Sequence, residues 1–282
     1  MPAPGPQQGG RGFLRSETGI RLLSSLVLVA LALASAWAGG PFLAAFWLLA
    51  AGAAAIEWRQ VGKLERPLPM RFALFAGILA ASILSVVDPP SAVVLVVAAL
   101  AILAVLAAGR GRRDRVWGLV GLGVTTILAT APVLVREHPA LGLTGLLWIF
   151  AVVWGTDVAA YFTGRALGGP KLAPRISPGK TWSGFFGGLA VGTLLGTLVA
   201  AIGEGLGWER PLSWFALVLL AALASVVGQI GDLAESALKR HFKVKDSSKL
   251  IPGHGGVLDR IDAFTAVCAF VLAGLALAAL AG

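Results

Sequence analysis

Apolar runs of about 20 residues, the length a helix needs to cross a hydrocarbon layer of about 30 Å, recur along the chain with short polar breaks. Nine are read, at 20–38, 41–57, 71–87, 91–108, 116–135, 141–163, 183–203, 213–238 and 256–280. Backbone groups in lipid must find partners within their own segment, so each run is predicted to be a helix. The fold class expected is an all-α, polytopic integral membrane protein of about nine transmembrane helices. The first five runs (1–140) are nearly featureless apolar spans, whereas the last four (141–282) carry the unusual polar residues, and the chain is divided there. The first run follows Arg11 and Arg15 and contains Ala34-Ser35-Ala36, so a cleaved signal peptide is an alternative reading of that run alone.

Composition strengthens this picture. The 282 residues are 57% hydrophobic and 13% charged, with mean hydropathy +0.84, against roughly 25% charged in soluble domains. A water-soluble fold of this size needs more polar surface. A single cysteine, Cys268, allows no intrachain disulfide, and three scattered histidines form no zinc-ligand cluster. The net charge of +9 raises the question of nucleic acid, and the placement of the charges answers it. Of the 23 basic residues, all but Arg136 and Arg210 fall in alternate breaks. The positive-inside rule makes that side cytoplasmic, with the N-terminus inside and the C-terminus outside. A nucleic-acid face would not alternate with membrane spans, so no nucleic-acid partner is expected. Trp37, Trp58, Trp117, Trp182, Trp208 and Trp214 fall near span ends, where amphipathic indoles are favoured.

Two cytoplasmic breaks hold more chemistry than a connector needs. Gly164 to Lys180 and Lys239 to Gly256 both combine glycine and proline with clustered Lys and Arg, although positive-inside anchoring alone also explains basic loops. Neither is a Walker phosphate loop: Ser177-Pro-Gly-Lys180-Thr181 lacks the preceding glycine, and no strand is expected before it. Five carboxylates lie at membrane depth near the same side: Asp157, Asp232, Glu235, Asp259 and Asp262. Ionisable groups in a span are costly and usually face a site or cavity. On the eighth helix Ser225, Gln229, Asp232, Glu235, Ser236 and Lys239 share one face by their three-or-four spacing.

Carboxylates at one depth repel unless lysines or a divalent cation lie between them, and Mg²⁺ takes one or two carboxylates together with phosphate oxygens and water. Glu235 has an ordinary partner in Lys239, four residues on. Asp259 and Asp262 open the ninth helix, where a carboxylate also stabilises the N-terminus; that role is assigned to Asp262. Asp232 has no such ordinary explanation. The seventh and ninth helices both start on the cytoplasmic side, so their first amides, near Lys180-Thr181-Ser183 and Gly255-Gly256, are expected to face a phosphate. A polyphosphate, Mg²⁺ and, at a membrane surface, a lipid as second substrate are the expected ligands.

The segment Ser236 to Asp262, SALKRHFKVKDSSKLIPGHGGVLDRID, closely resembles the signature of the phosphatidate cytidylyltransferases. The likeness rests on Ser236, Lys239-Arg240, Lys245-Asp246, Pro252, His254-Gly255-Gly256, Asp259-Arg260 and Asp262. Asp157 through Tyr161, Gly164-Arg165 and Ser177 to Thr181 also look like that family, so detailed likeness covers about 110 residues, while the first 140 match only as generic spans. The resemblance implies transfer of CMP from CTP to phosphatidate, giving CDP-diacylglycerol and pyrophosphate, with Mg²⁺ as cofactor. It also implies a homodimer in the bacterial inner membrane, with the active site on the cytoplasmic side. The family's metal-binding aspartates fall on Asp232 and Asp259 and its loop lysine on Lys180. With Lys239 these make the expected catalytic set. Asp157, Ser177, Thr181, Ser236, Arg240, Lys245, Asp246, His254, Gly255, Gly256 and Arg260 are the expected substrate contacts.

The attacking phosphate monoester has a second pKa near 6 and is already anionic at pH 7, so no general base and no catalytic triad are required. Two other classes are weighed. A CTP-dependent lipid kinase of the polyprenol type would use the same basic loops and Mg²⁺. A cation-coupled transporter would need midplane charges and internal repeats, and the sequence shows neither.

Overall fold

The computed structural model describes residues 17–65, 67–87, 90–208, 210, 212–248, 250–251 and 255–281. These form nine helices: α1 Glu17–Ala38, α2 Gly40–Gly62, α3 Pro67–Val87, α4 Ser91–Ala108, α5 Arg112–Glu137, α6 Gly142–Leu167, α7 Trp182–Gly205, α8 Trp214–His241 and α9 Leu258–Ala281. All nine contain stretches long and apolar enough to cross a membrane. Several outrun the predicted spans at one end: α2 continues to Gly62, α6 to Leu167 and α8 to His241. Arg59, Arg165, Lys239 and Arg240 sit in those last turns, where straight-chain cations both form helix well and meet the negative end of the helix dipole. Gly164-Arg165, read from sequence as the start of a loop, is therefore helical.

The break after α6 is a second correction. It folds into an antiparallel hairpin, β1 Lys171–Ala173 and β2 Ser177–Thr181, with Lys171 opposite Thr181 and Ala173 opposite Ser177. A strand therefore does precede the Ser177-Pro-Gly-Lys-Thr segment and the segment is itself a strand, contrary to expectation. Pro174 starts the turn, closed by Ile176 N donating to Ala173 O at 3.1 Å. Three- and five-residue strands are too short for an alternating pattern to show, and the prolines at 170, 174 and 178 exclude helix without announcing a sheet.

Polar contacts define the two ends of the bundle. At one end Arg113 Nη2 donates to Gly62 O at 2.7 Å and Glu65 N to Asp114 Oδ2 at 3.1 Å, joining α2 to α5. Trp117 of α5 packs there against His241 and Phe242 at the end of α8. At the opposite end Arg136 Nε donates to Ala36 O at 2.9 Å and Gly40 N to Glu137 Oε1 at 3.2 Å. Three of the basic-rich breaks, after α2, before α5 and after α8, thus converge on one end. The break around Pro89 lies partly outside the described residues.

The helix pair that positions the site is α6 with α7. Gly184, Gly188, Gly192 and Gly196, all buried, recur every fourth residue on α7. A Cβ at Gly184 would lie 2.7 Å from Ala160 O, and one at Gly188 2.8 Å from Thr156 O, so only glycine lets the backbones come this close. Thr156 and Ser225 hydroxyls, 2.8 Å apart, tie α6 to α8. Trp47, Phe150 and Phe264 stack across α2, α6 and α9, with the Trp47 and Phe264 rings 4.6 Å apart. The buried core runs from Leu43 through Leu128 and Leu146 to Cys268, crossing residue 140 without a break. By contrast α4 buries little beyond Val105 and Ala108 and presents the rest of its apolar surface outward.

Candidate active site

The polar face of α8 meets the hairpin first. Lys180, near the end of β2, places its Nζ 2.5 Å from Asp232 Oδ2 and 3.5 Å from Gln229 O. Its neighbour Thr181 is buried and caps α7, accepting from Gly184 N at 3.1 Å. Ser183 donates to Gly168 O, closing the base of the hairpin. The lysine thus stands on a strand held at both flanks. Arg240 Nε donates to Ile176 O at 3.3 Å, joining the end of α8 to the hairpin turn.

About two helical turns beyond Asp232, Lys239 Nζ sits between two acids, 2.7 Å from Glu235 Oε2 and 2.9 Å from Asp259 Oδ1. Asp259 also accepts from Ser247 Oγ at 2.7 Å, from Ser247 N at 3.2 Å and from Gly256 N at 2.9 Å. Ser247 Oγ lies 3.4 Å from Glu235 Oε1 as well. Two Lys–Asp units, 180 with 232 and 239 with 259, therefore stand on the same end of α8. Asp157 of α6 is within electrostatic reach of Asp232, Lys180 and Arg260. Asp262 of α9 is within reach of Asp232, Glu235 and Asp157.

This arrangement corrects the assignment made for the two aspartates of α9. The helix starts at Leu258, so Asp259 lies in the first turn and reaches back to the amide of Gly256. It performs the helix-terminus role expected of Asp262. Asp262 is a full turn deeper, beyond the free amides of the helix start, and joins the acidic group instead. The Cβ position of Gly231 would lie 3.1 Å from Asp262 O, so α8 and α9 run close together here.

A further correction concerns the helix starts. The amides expected to face a phosphate have protein partners: Trp182 N donates to Pro170 O, and Gly184 N to Thr181. On α9, Gly256 N donates to Asp259, while Val257 N and Leu258 N donate to Glu57 of α2 at 2.9 and 2.8 Å. Gly255 and Gly256 instead shape the loop. Gly255 has φ +86°, and a Cβ on Gly256 would lie 2.8 Å from both Glu57 Oε2 and Ser247 Cβ. Glu57 went unnoticed in the sequence, where it looks like the polar end of an anchoring span. The available signal was a lone carboxylate closing an otherwise apolar run.

The remaining expected contacts are more peripheral. Ser236 is half-buried on α8 and Ser177 half-buried in β2, whereas Lys245, Asp246 and Arg260 are exposed. Arg165 Nη1 donates to Tyr161 OH at 2.9 Å on the outer part of α6. His254 and Pro252 lie outside the described residues.

The sequence model of the cytidylyltransferase family matches residues 19–278. The chain is 41% identical over 257 residues to the phosphatidate cytidylyltransferase of Brucella suis biovar 1, covering 89% of this chain and 90% of that protein. It is 37% identical over 280 residues to the phosphatidate cytidylyltransferase of Haemophilus influenzae, covering 89% and 96%. The enzyme of the same name from Bacillus subtilis is 45% identical over 143 residues, 51% of each chain. The family match takes in both basic breaks and all five carboxylates, and the chain belongs to the cytidylyltransferase family.

Proposed function

We propose that this chain is a phosphatidate cytidylyltransferase: it transfers CMP from CTP to phosphatidate, giving CDP-diacylglycerol and pyrophosphate for phospholipid synthesis in a bacterial inner membrane. One observation carries the proposal. The Lys180–Asp232 and Lys239–Asp259 contacts stand together on α8, in a chain related over about nine-tenths of its length to proteins of that name. A homodimer and a cytoplasmic site are parts of the same reading, with 1–140 as supporting spans and 141–282 as the catalytic part.

The donor set fits a hard divalent cation. Five carboxylates gather from α6, α8 and α9, yet among the described residues no three His, Cys, Asp or Glu side chains close on one point. Mg²⁺ needs only one or two carboxylates and completes its shell with phosphate oxygens and water. Asp232 and Asp259 would hold it, with Asp262 and Asp157 adding negative charge behind them. When bound, the ion neutralises charge on the transferring and leaving phosphates. The protein's own cations do complementary work. Lys180, on its braced strand, and Arg260 and Arg240 bind the outer phosphates of CTP. Lys239, held by Glu235, fixes the Asp259 carboxylate. The phosphatidate phosphate attacks without a protein base because it is already ionised.

The test is the fate of each phosphate. With purified protein, phosphatidate, Mg²⁺ and CTP labelled at the α-phosphate, the label is expected in the lipid, with one pyrophosphate released per lipid formed. Label reaching the lipid from the γ-phosphate, with CDP released, would mean a lipid kinase instead.

Sidedness has its own test. In a Cys268→Ala background, chosen because Cys268 is fully buried, cysteines replacing Lys171 and Lys245 should label from the cytoplasmic face of sealed vesicles. A cysteine at Gly205 should label from the other face. Labelling of Lys245→Cys only from outside would overturn the topology.

A further inference from the structure

The N-terminal spans looked like anchors, yet one of their side chains reaches into the catalytic loop. Glu57, in the last part of α2, is 1% exposed. Its Oε1 accepts from Val257 N at 2.9 Å and from Ser248 Oγ at 2.5 Å, and its Oε2 accepts from Leu258 N at 2.8 Å. Val257 precedes and Leu258 begins α9, about 200 residues further along the chain, and the next residue is Asp259. On the other flank of the same loop, Ser247 precedes Ser248 and holds Asp259 through both its hydroxyl and its amide. Glu57 therefore grips the loop at the neighbours of Ser247 and Gly256, the two loop residues that donate to Asp259.

We infer that Glu57 is a positioning residue for the reaction: from α2 it fixes the start of α9 and the Ser247-Ser248 turn, and so sets the placement of Asp259 and, through it, of Lys239. Three features argue for a placement role beyond general packing. A carboxylate accepts only, and every contact recorded here is a donor: two backbone amides and a hydroxyl. A negative charge at a helix N-terminus is also favoured by the helix dipole. Finally, the loop is built to admit the carboxylate, since any Cβ on Gly256 would strike Glu57 Oε2. The end of α8 is steadied from the same side. Trp117 of α5 packs edge-on against Phe242 and at a tilt against His241, Arg113 lies over the Phe242 ring, and Trp58, next to Glu57, donates to Trp117 O at 2.8 Å. The spans α2 and α5 thus brace both ends of the segment that joins α8 to α9.

Gln cannot replace Glu57 without loss. Whichever way its amide is turned, its NH₂ faces one of the two backbone N–H groups, and that donor loses its acceptor. A misplacement of about 1 Å at a reacting centre costs about a hundredfold in rate.

The inference rests on the proposed role of Asp259, and the experiment separates the two. Full-length Glu57→Gln, Ser248→Ala and Asp259→Asn are purified, and CDP-lipid formation is measured against CTP and against Mg²⁺. Amide hydrogen exchange is followed over 255–262 and over α7. For Glu57→Gln, kcat should fall about ten- to a hundredfold, with KM for CTP changed less than about threefold. Its Mg²⁺ requirement should rise, and exchange should quicken at 255–262 while α7 is unchanged. Ser248→Ala should move each quantity the same way by less, and it decides the matter if Glu57→Gln does not fold. Wild-type kcat and local exchange in both variants would overturn the inference, as would exchange quickened equally in α7. An unchanged Mg²⁺ dependence in Asp259→Asn would remove the metal role of Asp259. The exchange and kcat arms would then still judge Glu57 as the anchor of the loop.

Discussion

Asp232→Asn should lower turnover by about two to three orders of magnitude, the scale seen when one preorganised charge-stabilising group is removed, and raise the Mg²⁺ needed for the remainder. The change keeps the shape of the side chain and removes the charge that faces Lys180 at 2.5 Å. Asp259→Asn should be at least as severe, for a reason the contacts make plain. Asp259 accepts from Lys239, Ser247 and Gly256 together, and an amide nitrogen placed on either side meets a donor. Loss of rate in that variant therefore mixes geometry with metal affinity, and the Mg²⁺ dependence is the informative readout. Groups that act as a unit are not additive, so the double variant should be little worse than the worse single one. Asp262→Asn, which would be a neutral control if Asp262 only stabilised a helix start, should instead shift the Mg²⁺ dependence, because Asp262 lies within reach of Asp232. Glu204→Gln serves as the control; its partner is Arg210, at the end of α7 away from the hairpin. Turnover against Mg²⁺ for all five variants settles the assignment. Full activity in Asp232→Asn with an unchanged Mg²⁺ curve would leave Asp232 a structural residue.

The parts of this molecule that were legible in the sequence are those governed by local rules. Span number follows from run length, because lipid allows few alternatives to a helix. The shared face of Ser225, Gln229, Asp232, Glu235, Ser236 and Lys239 follows from helical spacing and is present on α8, where all of these side chains but Ser236 contact α6, α7, β2, the loop before α9 or α9 itself. What was not legible depends on a boundary or on a distant segment. The run read from 256 and the helix that starts at Leu258 differ by only two residues, but which of Asp259 and Asp262 reaches the first amides depends on the path of the loop into α9, and helix ends are the least determined feature of a hydropathy pattern. The hairpin at 171–181 has too few residues per strand to show a period. Glu57 finds its donors about 200 residues away, a contact that no spacing rule reaches. The amides at the helix starts were expected to face a phosphate, and it is tertiary contacts of this kind that give them protein acceptors instead.

Lys180→Ala and Lys239→Ala should each lower kcat/KM by about two to three orders of magnitude, whereas Lys63→Gly should stay within about twofold of the unchanged protein. Lys63 is the suitable reference because it caps α2 in the left-handed region, at φ 49°, a conformation glycine adopts without strain; an alanine there would add a backbone cost of its own. The two lysines should fail differently. Lys180 and Asp232 remain partly exposed, with side chains 24% and 36% accessible, so an isolated Asp232 can be solvated and the fold should be little affected. The loss in Lys180→Ala should therefore fall on CTP use, as a higher KM together with a lower kcat. Lys239 is wedged between Glu235 and Asp259, whose side chains are only 11% and 8% exposed. Removing it leaves two nearly buried carboxylates facing each other, and breaking a buried pair from one side costs about 3–5 kcal/mol. Lys239→Ala should accordingly lower the thermal midpoint as well as the rate, while Lys180→Ala lowers the rate alone. Steady-state kinetics in CTP and a thermal melt on the same three preparations test both halves. Equal kcat/KM in all three variants would remove the phosphate-binding role of the hairpin lysine, and an unchanged melting point in Lys239→Ala would mean that the Glu235–Lys239–Asp259 cluster does not hold α8 to α9.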